Sequence, residues 1–272
     1  MCEVLGVSRA GYYAWVARPP SRREARHAEL LVKVRESHVG SDELYGSPRV
    51  TRDLRAAGTL VTEKTVAKLM RLNDIRSVVA RKFRVMTTDS DHPNPVADNV
   101  LDRDFTADLP NKKWCADITY IPTDEGVLYL AGVIDLCSRR IVGWSMAEHM
   151  RASLCTGALE MAVLHRRPGE GLVCHSDRGV QYACDEYRER LDGHGMVCSM
   201  SRRGNCYDNA VMESFWGTLK RELLYQQPRG RFASHEEARG KIFKYIEVFY
   251  NRRRRHSSIG YESPESFEAG LN

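Results

Sequence analysis

The chain has 272 residues, 42% hydrophobic and 28% charged, with 41 Lys and Arg against 36 Asp and Glu. That length suits two domains with a full apolar core. No apolar run approaches the roughly 20 residues of a membrane helix, and no basic-then-apolar leader opens the sequence, so the cytoplasm is the expected compartment.

The charge is unevenly placed. Residues 1–85 carry 17 basic against 9 acidic side chains, residues 86–200 carry 11 against 18, and residues 201–272 carry 13 against 9. A basic front and tail around an acidic middle fit a polyanion-binding protein, or simply an uneven solvated surface. None of the eight cysteines is spaced as C-x-x-C, which argues against a structural zinc site. Cys115, Cys137, Cys174 and Cys198 lie in apolar runs and read as buried free thiols, in keeping with a reducing compartment.

In chain order, residues 1–20 form a partial helical segment. Ser8 caps a short helix carrying Tyr12, Tyr13 and Trp15. It reads either as the second half of a helix-turn-helix that begins upstream, in a longer product, or as a frayed terminal helix. Residues 22–77 form a helical module. Leu30, Leu31 and Val34 recur at helical spacing, Ser47-Pro48 starts a second helix ending at Gly58, and Thr62 caps a third with Val66, Leu69 and Met70 as its apolar stripe. Two short helices joined by a Gly-containing turn make a helix-turn-helix pattern. The other face of the last helix offers Lys64, Lys68 and Arg71 to DNA phosphates.

Residues 78–107 lose periodicity and include the polar, Pro-containing run at 87–95, a linker. Strand patterns follow at 114–121, 127–135 and 140–145, then a helix at 153–164, a strand at 171–175, a helix at 182–191, a strand at 197–200 and a helix from Ala210 to about Tyr225. Asp208 or Asn209 serves as its cap. The order β-β-β-α-β-α-β-α over 108–226 implies an α/β domain, a mixed sheet with helices on its faces. Residues 227–272 hold a last helix at 234–252, burying Ile242, Tyr245, Ile246 and Phe249, and a basic tail.

Three carboxylates stand out. Asp117 lies inside the first strand, Asp177 follows a buried strand, and Glu213 sits in the first turn of a helix. Acids beside buried strands need partners, and no single Lys or Arg adjoins all three. A divalent cation would satisfy them together, and hard oxygen donors suit Mg²⁺. Singly, each has a bland explanation: a paired strand acid, a turn residue and an acid on a helix dipole. Asp135 also ends a strand and is a decoy by the same test. Spacing favours the joint reading, with 35 residues between Asp177 and Glu213 and 59 between Asp117 and Asp177.

These segments resemble one family. They are Trp114 to Tyr120, Gly132 to Arg139, His175 to Tyr182, Ser201 to Glu213, and a tail with Tyr250-Asn251-Arg252, His256 and Gly260-Tyr261. Together they look like the DDE transposases of insertion sequences, the branch sharing a catalytic core with retroviral integrases. More narrowly, they resemble the second-reading-frame product of insertion-sequence family three. The resemblance implies a ribonuclease-H-like five-stranded sheet behind a small all-α domain. It also implies two Mg²⁺ ions, replaceable by Mn²⁺, on Asp117, Asp177 and Glu213. The implied chemistry is hydrolysis at the element's ends and transfer of the freed 3′-OH to another phosphodiester.

The family gives the position of Lys220 a DNA-phosphate role. Arg202 and Arg203 precede the catalytic helix and are expected to touch DNA backbone, as are Arg252 and Arg254 in the basic run at 252–255. Trp114 and Trp216 read as core residues. His175 reads either as support behind the metal ligands or as a structural histidine. The implied partners are terminal inverted repeats, target DNA, further copies of the chain and an upstream first-frame protein, joined by frameshifting. The product would act at the nucleoid. Two other readings remain: a metal-dependent nuclease of the same fold that cuts without joining, and a non-catalytic DNA-binding regulator.

Overall fold

A computed structural model describes residues 2, 4, 6–78, 94–203 and 205–271. Most of the polar run at 87–95, and Gly204, lie outside the described residues. The chain divides into two compact units, Met1–Val78 and Val79–Asn272. No helix among the described residues is long and apolar enough to cross a membrane.

The first unit contains α1 (Arg9–Val16), α2 (Arg22–Gly40), α3 (Ser47–Ala56) and α4 (Glu63–Leu72). Helix α2 starts at a reciprocal cap: Ser21 Oγ accepts from the Glu24 amide and Glu24 accepts from the Ser21 amide. Three apolar stripes, Leu30 and Val34, Val50 and Leu54, and Val66, Leu69 and Met70, are buried. Gly58, at φ 78°, makes the left-handed turn that ends α3 and lets Thr62 cap α4. Helix α3 starts at Ser47-Pro48 as expected, with Gly46 as its N-cap and no side-chain bond there. Helix α1 has the expected Ser8 cap but buries none of its residues.

The second unit is built on β1 (Lys113–Thr123), β2 (Gly126–Asp135), β3 (Ile141–Ala147), β4 (Val173–Ser176) and β5 (Val197–Met200), in the order β3-β2-β1-β4-β5. The first three form an antiparallel meander, and β1, β4 and β5 run parallel. This is the mixed, ribonuclease-H-like sheet. Trp114 and Ala116 of β1 belong to a core shared with α5 (Ala152–Arg166) and α7 (Asp185–Gly193). Side chains alternate along a strand, so Cys115 and Asp117 point to the opposite face. Helix α8 (Ala210–Glu222) packs there.

The helix expected at 182–191 is split into α6 (Val180–Ala183) and α7 by the extended backbone of Cys184. The last long helix starts at the Ser234 cap as α9 (His235–Phe243) and continues as a π-helical segment, Lys244–Tyr250. It buries Ile242, Tyr245, Ile246 and Phe249. The tail then forms α10 (Pro264–Ala269), whose Glu268 accepts two 2.8 Å bonds from Arg166 and one of 2.7 Å from Ser138. Asn251 clamps the start of β3, exchanging hydrogen bonds with the Ile141 amide and carbonyl. Of the four thiols expected inside, Cys115, Cys137 and Cys174 are buried and Cys198 is half-buried.

Candidate active site

The parallel pairing of β1 and β4 sets Cys115 beside His175, so the C-terminal halves of both strands lead to the same end of the sheet. Asp117 lies two residues beyond Cys115, and Asp177 two beyond His175. Helix α8 is anchored beside them by Asn209, whose amide donates to the Ala116 carbonyl at 3.2 Å. That contact sets the first turn of α8, with Glu213, near Asp117.

The electrostatics reflect this convergence. Burial, followed by the charge of Asp177, pushes the Asp117 carboxyl well above the ordinary carboxylate range, and Glu213 adds to the push. The Trp216 indole opposes it by donating to Asp117 Oδ2 at 3.0 Å. Asp177 Oδ1 accepts from the Gly179 amide at 2.9 Å. Glu213 is exposed, and partial desolvation raises its carboxyl. Lys220 is half-buried on the same helix; burial lowers its ammonium and the charge of Asp117 draws it back up.

Among the described residues, no three His, Cys, Asp or Glu side chains stand close enough to enclose one ion. In chemistry the three carboxylates still fit a hard divalent cation. All are oxygen donors, and Asp117 carries an unfavourable field from the other two that a positive charge relieves.

Other candidates have structural employment. Asp135 is fully buried and accepts from the Cys137 and Ser138 amides, the Asn111 amide and the Trp114 indole. His175 is fully buried between Ser199 Oγ at 2.9 Å and Ser201 Oγ at 3.1 Å, and desolvation lowers it to about 4. Both of its ring nitrogens are thereby partnered by serine hydroxyls.

One arginine expected on DNA, Arg254, is corrected, and a second, Arg202, is engaged by acids while its side chain stays exposed. Arg254 is 2% exposed and gives Glu222 two hydrogen bonds of 2.7 Å. A guanidinium so enclosed has no face for a phosphate. Arg202 donates its amide, Nε and Nη2 to the buried Asp208, with Nη1 3.3 Å from Asp102. Asp208 also receives Arg103 and Asn99, so it pins the loop before α8 rather than capping the helix. Asn209 is the N-cap by position but makes no cap bond through its side chain. Lys64, Lys68, Arg71, Arg203 and Arg252 are exposed, and Arg252 stands 3.7 Å from Glu265.

Sequence reasoning missed three features here: the indole on Asp117, the arginine clamp on Asp208, and a basic concavity in the first unit. The last has a volume of about 920 Å³ and is lined by Arg22, Arg23, Arg26, His27, Arg55 and Leu60. One signal was available. Gly132 interrupts an apolar strand, and an isolated glycine in a strand often marks a close approach.

The integrase core domain family matches residues 107–206, a second integrase core domain family matches 194–264, and an HTH-like domain family matches 25–83. The chain is 44% identical to the transposase InsF for insertion sequence IS3A of Escherichia coli, over 98% of this chain and 92% of that protein. It belongs to the IS3-family transposases. It is also 46% identical to the insertion element IS600 uncharacterized 31 kDa protein of Shigella sonnei, over 98% of this chain and 97% of that one. Among solved structures, the HTLV-2 integrase catalytic core domain in complex with magnesium is similar, at 16% identity and a TM-score of 0.46, over 60% of this chain and 99% of that chain. The transposase therefore has an integrase-type polynucleotidyl transferase core and a helix-turn-helix-like unit, and its substrate is DNA.

Proposed function

We propose that Asp117, Asp177 and Glu213 are the catalytic carboxylates with which this transposase cleaves the ends of its element and joins the freed 3′-OH to a second phosphodiester. The observation that carries this is the electrostatic convergence on Asp117 of Asp177, which follows the neighbouring parallel strand, and Glu213, from α8. Two Mg²⁺ ions, replaceable by Mn²⁺, would supply activation of the attacking oxygen and stabilisation of the leaving one.

The chain's own residues do the rest. Asp117, on β1, and Asp177, the residue after β4, would hold and orient the ions. Glu213, on the exposed face of α8, closes the set from the solvent side. Lys220 lies on that helix within the field of Asp117, placed to hold a DNA phosphate next to the reacting one. Arg203 and Arg252 contact backbone farther out. In the first unit Lys64, Lys68 and Arg71, with the concavity edged by Arg22, Arg23 and Arg55, grip phosphates of the terminal inverted repeats. We assign 22–77 to that DNA-binding function, 78–107 to a linker, 108–226 to the catalytic core and 227–272 to its C-terminal support. An upstream first-frame protein is the expected partner, and the active species is an oligomer on DNA at the nucleoid.

The test is joining of pre-cleaved element-end DNA in Mg²⁺. Wild type joins; Asp117→Asn loses cleavage and joining by roughly a thousandfold, with DNA binding retained in a gel-shift measurement. Cutting without joining by wild type would make the protein a nuclease. Full activity of Asp117→Asn would remove Asp117 from the site.

A further inference from the structure

We propose that Trp216 is a positioning residue of the active site: its indole N–H orients the Asp117 carboxylate, and Gly132 is the gap through which the indole reaches it. This rests on the assignment of Asp117, Asp177 and Glu213 as the catalytic set. It gives that set a fourth member, which touches no substrate.

Three independent features converge on this pair. The first is the bond itself, Trp216 Nε1 to Asp117 Oδ2 at 3.0 Å. An indole N–H only donates and an ionised carboxylate only accepts, so the pairing admits one sense. With Oδ2 held, the torsion of the carboxylate is no longer free, and its remaining lone pairs keep one direction.

The second is space. In the β1–β2 register Gly132 stands directly opposite Asp117. A Cβ at position 132 would lie 2.9 Å from Trp216 Cη2 and 3.3 Å from Cζ2, with Met212 Cε at 3.5 Å. Gly132 is not among the glycines with positive φ. Its backbone is therefore open to any L-residue, and what demands glycine is room for the indole.

The third is fixation of the ring. Trp216 is 6% exposed, and Phe215 tilts against it with centroids 4.8 Å apart. Phe215 is itself held edge-on by Tyr250, at 4.8 Å. A ring wedged between a strand and an aromatic stack keeps its N–H in one place, as an orienting group behind a metal ligand must. Trp216 also follows Glu213 by one turn. A shift of α8 that moved Glu213 would therefore move the donor on Asp117 with it, so one helix sets two of the three carboxylates.

Trp216→Phe keeps an aromatic ring and deletes the N–H. Gly132→Ala keeps the N–H and pushes the ring. Both are compared with wild type by Mn²⁺ binding without DNA, read as the metal-induced rise in melting temperature, and by the Mg²⁺ dependence of joining. The expected result for each is a 10- to 100-fold higher metal concentration at half-effect, with a smaller loss at saturating metal than at limiting metal. The two changes share one contact, so Gly132→Ala adds little in the Trp216→Phe background, where the clashing ring atoms are gone. A purely structural tryptophan would lower the metal-free melting temperature and leave the metal half-effect unchanged in both variants, which overturns the proposal. Asp117→Asn separates the two readings. If it neither responds to metal nor joins DNA while Trp216→Phe matches wild type, the site stands and the role of Trp216 falls. If Asp117→Asn keeps both responses, the site assignment falls and this proposal with it.

Discussion

At the scale of single residues, charge in the sequence does not reveal where the charge is used. Arg254 stands in basic surroundings that look made for phosphates, yet it is consumed by an acid far away in the chain, while Arg202 binds the buried Asp208 with its own side chain still exposed. Glu222 draws Arg254 into the core across 32 residues and is also bound by Tyr245 at 2.8 Å. Asp208 is the more consequential acid, because it ties the loop before α8 to Asn99 and Arg103. Hydrogen bonds from Arg202, and then from Arg103, hold its carboxyl far below the ordinary carboxylate range. The folded value is depressed, so the stabilisation is complete above the ordinary value near 4 and is lost as pH falls below it. We predict that Asp208→Asn costs about 2–3 kcal/mol at pH 7, the scale of hydrogen bonds to a charged group. The gap from wild type should narrow between about pH 4 and pH 3 in urea unfolding. A gap that stays constant over that range would show that Asp208 is not held ionised by its arginines.

At the scale of elements, periodicity carried most of the architecture. Strands β1 to β5 and helices α2, α3, α4, α5 and α8 fall within a few residues of their expected places, because each presents one clean apolar face or a continuous buried run. The misses have local causes. The α6–α7 break at Cys184 has no Gly or Pro to announce it, and α10 is short and gains its place from Glu268 rather than from an apolar stripe. The place of β4 and β5 beside β1 was not legible from pattern, because parallel neighbours are joined by long crossovers that leave no turn signal. The approach of α5 to the sheet was equally hidden, though a glycine marks it. A Cβ at Gly143 would lie 2.2 Å from the Ala158 carbonyl oxygen and 2.7 Å from Ala162 Cβ. Both are fixed parts of a helix and cannot yield as a flexible side chain can. Gly143→Ala should therefore destabilise the catalytic unit by about 3 kcal/mol, the upper range for overpacking, read as a lower melting temperature. A wild-type melting temperature would mean that α5 does not lie so close to β3.

At the scale of the whole molecule, the uneven charge along the chain becomes a division of labour. The acidic middle carries Asp117 and Asp177, whose mutual repulsion is the reason to expect cations there. The basic front is one compact unit, and its arginines are not evenly spread: Arg22, Arg23, Arg26 and Arg55 edge a single concavity. Arg26 and Arg55 already donate to the carbonyls of Leu60 and Val61 in the turn before α4. They shape that turn, which leaves Arg22 and Arg23, in the first turn of α2, as the pair best suited to phosphates. Each phosphate neutralised on duplex DNA contributes about 0.9 to the slope of log affinity against log salt. Replacing both Arg22 and Arg23 by Ala should thus reduce the magnitude of that slope by about 2, measured by titrating element-end DNA at several salt concentrations. Weakening should be similar on end DNA and unrelated duplex, because phosphate contacts carry no sequence information. An unchanged slope would turn the concavity away from DNA and leave Lys64, Lys68 and Arg71 on α4 as the phosphate-binding face.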